Sequence, residues 1–183
     1  MISQAKPENH YLRSVSKRAF KKYLTELPKP ALEEQLLDLY ERFPQVKKYY
    51  DFVFNPKEDS LISEAQMKIS NEYFPLRRKR PRARRSVAQK FIKQFITLGM
   101  DPSKLGDLML YNLEIAQRFE AERNVPESFY KSMMNSYTEA VHYISLNGLV
   151  DDFKSRIIKI YQVVQDRNWP FVEGFSRALD MID

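Results

Sequence analysis

An all-α protein is the fold class this sequence predicts, and three observations predict it. Only four glycines occur in 183 residues, β-branched runs are scarce, and apolar residues recur at three- and four-residue intervals nearly throughout. That interval is the period of a helix, whereas a half-buried strand alternates every second residue. Start and stop signals divide the pattern into about nine helices. The first four cover 16–26, 30–42, 44–53 and 57–73; Lys29-Pro30 supplies a proline for a first turn, and Asn55-Pro56-Lys57-Glu58 offers a cap, a proline and an acid for the fourth. The remaining five cover 86–98, 102–123, 126–147, 149–166 and 169–181. Ser86-Val87-Ala88-Gln89 reads as a capping box, Asp101-Pro102 repeats the cap-then-proline logic, and Gly99 and Gly148 each close an apolar-periodic run.

Connections of mostly two to four residues predict antiparallel hairpins of consecutive helices. Their stacking gives a helical array or a short solenoid-like bundle. A short echo, Tyr23-Leu24-Thr25-Glu26-Leu27 against Phe95-Ile96-Thr97-Leu98-Gly99 and Tyr143-Ile144-Ser145-Leu146-Asn147, fits tandem hairpins, although its copies are unequally spaced. Ordinary amphipathic helices in a compact bundle also produce it.

Composition narrows the function. Apolar residues at 43% and aromatics at 13% are enough for a packed core. The length suggests one domain, expected over 14–183 after a flexible N-terminal segment, 1–13. The absence of cysteine rules out disulfides, thiolate metal sites and a cysteine nucleophile. It suits a cytoplasmic setting, and the N-terminus has no apolar stretch of a signal peptide or membrane span, so no membrane partner is expected.

The charge is concentrated. Thirty basic against 24 acidic residues give +6, and removing the seven cations of Arg77, Arg78, Lys79, Arg80, Arg82, Arg84 and Arg85 leaves 23 against 24. Pro75 and Pro81 keep their preceding residues out of helix, so 75–85 is expected to be an irregular connector between the fourth and fifth helices. With a helix starting at Ser86, the last arginines sit beside the positive end of a helix dipole, where a cation costs about 0.3–1 kcal/mol at low salt. An anion at that spot resolves the conflict: free amides and forked guanidinium groups both favour phosphate. The candidate phosphate-binding or nucleic-acid-binding set is therefore Arg77, Arg78, Lys79, Arg80, Arg82, Arg84, Arg85, Ser86 and Lys90, with Lys93 as an extension. A solvated loop, an acidic protein surface, or an internal clamp on Asp51, Glu58, Asp59 or Glu64 uses the same charges. Tyr73 and Phe74 next to the stretch suit base stacking, but they also fit the last turn of a core-facing helix.

Other chemistry is sparse. Glu139 and His142 have the i, i+3 spacing of a bundle metal ligand pair, but no second copy exists, and His10 is the only other histidine. Glu33, Glu34, Asp38 and Glu41 read as a solvated helix face. No glycine-rich phosphate loop or nucleophile elbow occurs, so no catalytic residue and no cofactor are expected. Tyr130, Met133, Met134 and Tyr137 fit either a partner groove or the core.

Four segments carry a resemblance: Ser16-Lys17-Arg18-Ala19-Phe20-Lys21-Lys22-Tyr23-Leu24, Glu34-Gln35-Leu36-Leu37-Asp38-Leu39-Tyr40, Tyr49-Tyr50-Asp51-Phe52-Val53-Phe54-Asn55-Pro56 and Ala83-Arg84-Arg85-Ser86-Val87-Ala88-Gln89-Lys90. Together they resemble a small bacterial all-helical family of unknown function, over about residues 14 to 165. The resemblance implies a cytoplasmic, stand-alone helical protein and carries over no activity. The expectation is a non-enzymatic module that binds phosphate groups, those of nucleic acid first. The alternative is a helical scaffold whose basic stretch contacts an acidic protein.

Overall fold

Every regular element of the computed structural model, which describes residues 15–77 and 80–182, is a helix. Among the described residues these are α1 (Lys17–Glu26), α2 (Lys29–Arg42), α3 (Pro44–Phe54), α4 (Glu58–Tyr73), α5 (Arg85–Leu98), α6 (Pro102–Glu122), α7 (Glu127–Leu146), α8 (Val150–Asp166) and α9 (Val172–Leu179). The expected flexible segment 1–13 lies outside the described residues. No helix is long and apolar enough to cross a membrane among those described.

Local chemistry accounts for most boundaries. Asp101 accepts the amides of Ser103 and Lys104 at 2.9 and 3.1 Å, and Pro102 opens α6 behind it. Gly99, with φ of 73°, closes α5 in the left-handed conformation that costs a residue without Cβ little. Three expectations are corrected. Asn55 does not cap α4: its carbonyl instead accepts the amide of Lys57, which is the residue that precedes the helix. Ser86 lies inside α5, whose N-cap is Arg84 with no side-chain cap bond. The last helix starts at Val172 and not near 169, because Asn168 and Phe171 both adopt left-handed backbone on either side of a buried Trp169.

The chain divides into two compact units, residues 1–51 and 52–183, with the boundary inside α3. The helical region expected from residue 14 onward runs through both. The second unit holds the core. Within it α6 packs against α4, α5, α7 and α8, α7 also meets α8 and α9, and α8 meets α9. A solenoid repeat touches only its neighbours in sequence. Each of these pairs lies one or two helices apart in order, as stacked antiparallel hairpins require, and α6, in the middle of the stack, buries Leu105, Leu108, Leu113, Ala116 and Phe119 along its length. Gly106 lets α7 and α8 approach: a Cβ there would lie 3.3 Å from both Ile144 and Phe153. Met133 and Tyr137 of α7 are buried and Tyr130 and Met134 pack against the same core, so this stripe is structural.

In the first unit, by contrast, α1, α2 and the first two turns of α3 bury no residue at all. A hydrogen bond from Gln35 Nε2 to the Tyr23 hydroxyl links α1 to α2 across the Pro28 turn.

Candidate phosphate-binding site

The basic connector leaves α4 at Phe74 and returns to within hydrogen-bonding distance of the helix it left. Two amides, Arg82 N and Ala83 N, donate to the Glu72 carbonyl at 3.0 and 2.9 Å. Both can reach one acceptor because Ala83 adopts a left-handed backbone, φ 48°, unusual for a residue with a Cβ. Glu72 also binds by its side chain. Its carboxylate, only 8% exposed, accepts Arg84 Nε at 2.9 Å and Nη2 at 3.0 Å, a fork that matches both oxygens. Those bonds raise the Arg84 pKa and keep the guanidinium charged.

Arg85 points elsewhere. Its Nε donates to the Ser136 hydroxyl at 2.8 Å and its Nη2 to Glu139 Oε1 at 2.6 Å, while Gln89 Nε2 takes the other Glu139 oxygen at 2.7 Å. The first turn of α5 is thereby tied to α7. Gln89 is spent on that contact, which is why it does not return to cap its own helix.

The charge conflict read from the sequence is thus met within the chain. Arg84 and Arg85 face the carboxylates of Glu72 and Glu139, so the internal clamp exists but its acids differ from those expected. Glu58 and Asp59 pair with Lys104, Glu64 pairs with Lys68, and Asp51 accepts the Tyr40 hydroxyl. Sequence reasoning missed Glu72, though it left a signal. It falls on the apolar stripe of α4 with Ile62, Ala65 and Ile69, and a carboxylate there needs a cation. Glu139 lies 54 residues from Arg85 and left none of that kind.

Arg77, Arg80 and Arg82 are exposed, and their side chains make no hydrogen bond or ion pair among the described residues. Arg78 and Lys79 lie outside the described residues. Ser86 and Lys90 are exposed on the first turns of α5, as is Lys93. A groove of about 360 Å³ is lined by Arg82, Arg84 and Arg85 of the connector, by Asn124, Ser128 and Ser132, and by the buried Phe119 and Phe129. The exposed Arg82 guanidinium with the hydroxyl and amide donors of Ser128, Ser132 and Asn124 can hold an anion.

Tyr73 and Phe74 do not offer stacking faces. Tyr73 is buried, donates weakly to Asn112 at 3.5 Å, and lies with Phe74 against the Phe119 ring. Burial, with Glu72 adding to it, pushes the Tyr73 phenol well above its usual range. Elsewhere, His142 is exposed and Glu139 is occupied by Arg85 and Gln89, and no group of three acids or histidines able to hold a metal occurs among the described residues. On α2, Glu33 and Asp38 form exposed pairs with Lys29 and Arg42, as a solvated face does.

No curated protein and no solved structure matches the chain. A protein-family model does match, over residues 15–183, and so across both units and the whole connector: this chain belongs to DUF6155, a family of unknown function.

Proposed function

We propose that the protein is a non-enzymatic binding module that receives the phosphate groups of nucleic acid on its basic connector. Arg77, Arg80 and Arg82, together with Arg78 and Lys79, make the contacts; Arg84 and Arg85 hold the connector in place through Glu72 and Glu139. The observation that carries this reading is the contrast within one short segment. Two arginines are paired with carboxylates of the chain, and three others stay exposed and make no ion pair among the described residues. A loop that needed charge only for anchoring would require no more than the two. The groove beside Arg82 adds the donors of Asn124, Ser128 and Ser132, Lys90 extends the positive field along α5, and Ser86 adds an exposed hydroxyl. Binding of this kind is directed at the backbone and falls with salt. A cytoplasmic setting suits it, since the chain has no cysteine to protect.

The test is a salt titration of binding to single- and double-stranded oligonucleotides of mixed sequence, with the native protein and with a variant carrying Arg77→Ser, Arg80→Ser and Arg82→Ser. Native binding should show a log–log slope of roughly −3 to −4.5 on duplex, the value for three to five neutralised phosphates at about −0.9 each. The variant should lose most of that slope while staying folded. Absence of native binding at low salt refutes the proposal and leaves the acidic-protein reading of the same arginines.

A further inference from the structure

The first unit poses a physical problem that the connector does not address. In α1 and α2 no side chain is buried, and Phe20, Tyr23, Leu36, Leu37, Leu39 and Phe43 are all exposed; Phe20 keeps 53% and Leu37 62% of its surface. A unit of residues 1–51 is small enough to be marginal alone, and towards about 40 residues disulfides, a metal or association with another chain become the usual support. Cysteine is absent, and no metal-ligating cluster occurs among the described residues. Short amphipathic helices draw their stability from the packing of their apolar faces. Those of α1 and α2 therefore call for a partner.

The charges beside these faces say which partner. On α1, Phe20 stands among Lys17, Arg18 and Lys21, none of which makes an ion pair among the described residues. On α2, Leu37 is flanked one turn away on either side by Glu34 and Glu41, likewise without an ion pair. One protomer thus presents a basic apolar stripe and an acidic apolar stripe on successive helices. Two copies related by a two-fold axis satisfy both at once, each α1 lying on its partner's α2. Four amphipathic helices are also the number that closes a bundle round a shared core.

We propose that the protein is a homodimer joined through α1 and α2, with Phe20 and Leu37 at the contact and Lys17 and Lys21 facing Glu34 and Glu41 of the second copy. Light scattering on the eluting full-length chain tests it, over a wide range of concentration and with helix content followed by circular dichroism. The native chain should weigh about twice its 21.8 kDa. Phe20→Glu with Leu37→Glu should return it to a monomer, because a carboxylate at the centre of each stripe cannot be buried unpaired. Glu34→Lys with Glu41→Lys should shift the equilibrium towards monomer by opposing like charges, and adding Lys17→Glu with Lys21→Glu should restore the dimer. A native monomer at the highest concentration reached overturns the proposal. A dimer that survives the charge substitutions and the paired glutamates also overturns it, since the contact then lies elsewhere. Should the paired glutamates lose helix, the reversal and rescue of charge decide alone. Oligonucleotide binding plays no part in this readout, so this proposal and the one for the connector fail independently.

Discussion

Gly174 is the position where a single methyl group tests the packing of the second unit most directly. It lies in α9, and a Cβ built on it would fall 2.1 Å from Met134 Sδ, 2.9 Å from Cγ and 3.6 Å from Cε on α7. Carbon atoms in contact normally stand about 3.5–4 Å apart, and sulfur is larger, so the overlap exceeds what breathing of the two helices absorbs. Gly174→Ala must therefore move the Met134 side chain. Methionine moves more readily than most, and a groove of about 440 Å³ beside it, lined by Thr138, Arg177 and Met181, gives it somewhere to go. Overpacking costs about 1–3 kcal/mol, while alanine regains about 0.8–1 kcal/mol of helix propensity over glycine. The net expectation is a loss of roughly 0.5–2 kcal/mol, or about 1–8 °C in melting temperature for a chain of this size. Urea unfolding followed by the lone tryptophan measures it well, because Trp169 is buried in the same unit. The double variant Gly174→Ala, Met134→Ala should show a favourable coupling of about 1 kcal/mol, since the clash is gone. A Gly174→Ala protein as stable as the native one, or a double variant with no coupling, would refute the close approach of α9 to α7.

Two further expectations concern the connector and its neighbours. Replacing Glu72 by Gln removes the charge that holds the Arg84 fork, so trypsin should cut the native-state connector after Arg84 severalfold faster; an unchanged rate would show that the fork does not anchor it. Tyr73 governs an alkaline limit. Its folded pKa is raised above the ordinary 10.0 by burial first and by Glu72 second, so the folded state keeps the proton while the unfolded state loses it. The stability this represents is complete below pH 10.0 and declines above it, by up to about 1.4 kcal/mol per pH unit. Comparing urea midpoints near pH 9 and pH 11, the native protein should lose more than a Tyr73→Phe variant does, and equal losses would count against a neutral buried phenol.

Much of the fold is legible in the sequence. All nine expected helices are present, and the caps at Asp101, Gly99 and Gly148 fall where the sequence places them. Those signals are local: a proline at the first turn, or a glycine free to take positive φ, acts within a few residues of itself. The capping box at Ser86 is the instructive failure. Every residue it needs is present, yet Gln89 serves Glu139 across the bundle and the helix starts one residue earlier. A local motif yields when a partner distant in sequence offers a charged bond.

That this is a helical protein, roughly where its helices run, and that its excess charge sits in one connector can all be read from the order of the residues. Periodicity and capping settle the first two, and counting settles the third. What that charge meets depends on the packing of the helices. The structure divided seven cations into two held by Glu72 and Glu139, three left exposed and two outside the described residues. It also revealed that α1 and α2 carry apolar stripes with nothing buried. The physical reason is common to both. An amphipathic pattern specifies that a face seeks cover, and a charge that it seeks a counter-charge, but which surface supplies either depends on helices brought together from across the chain.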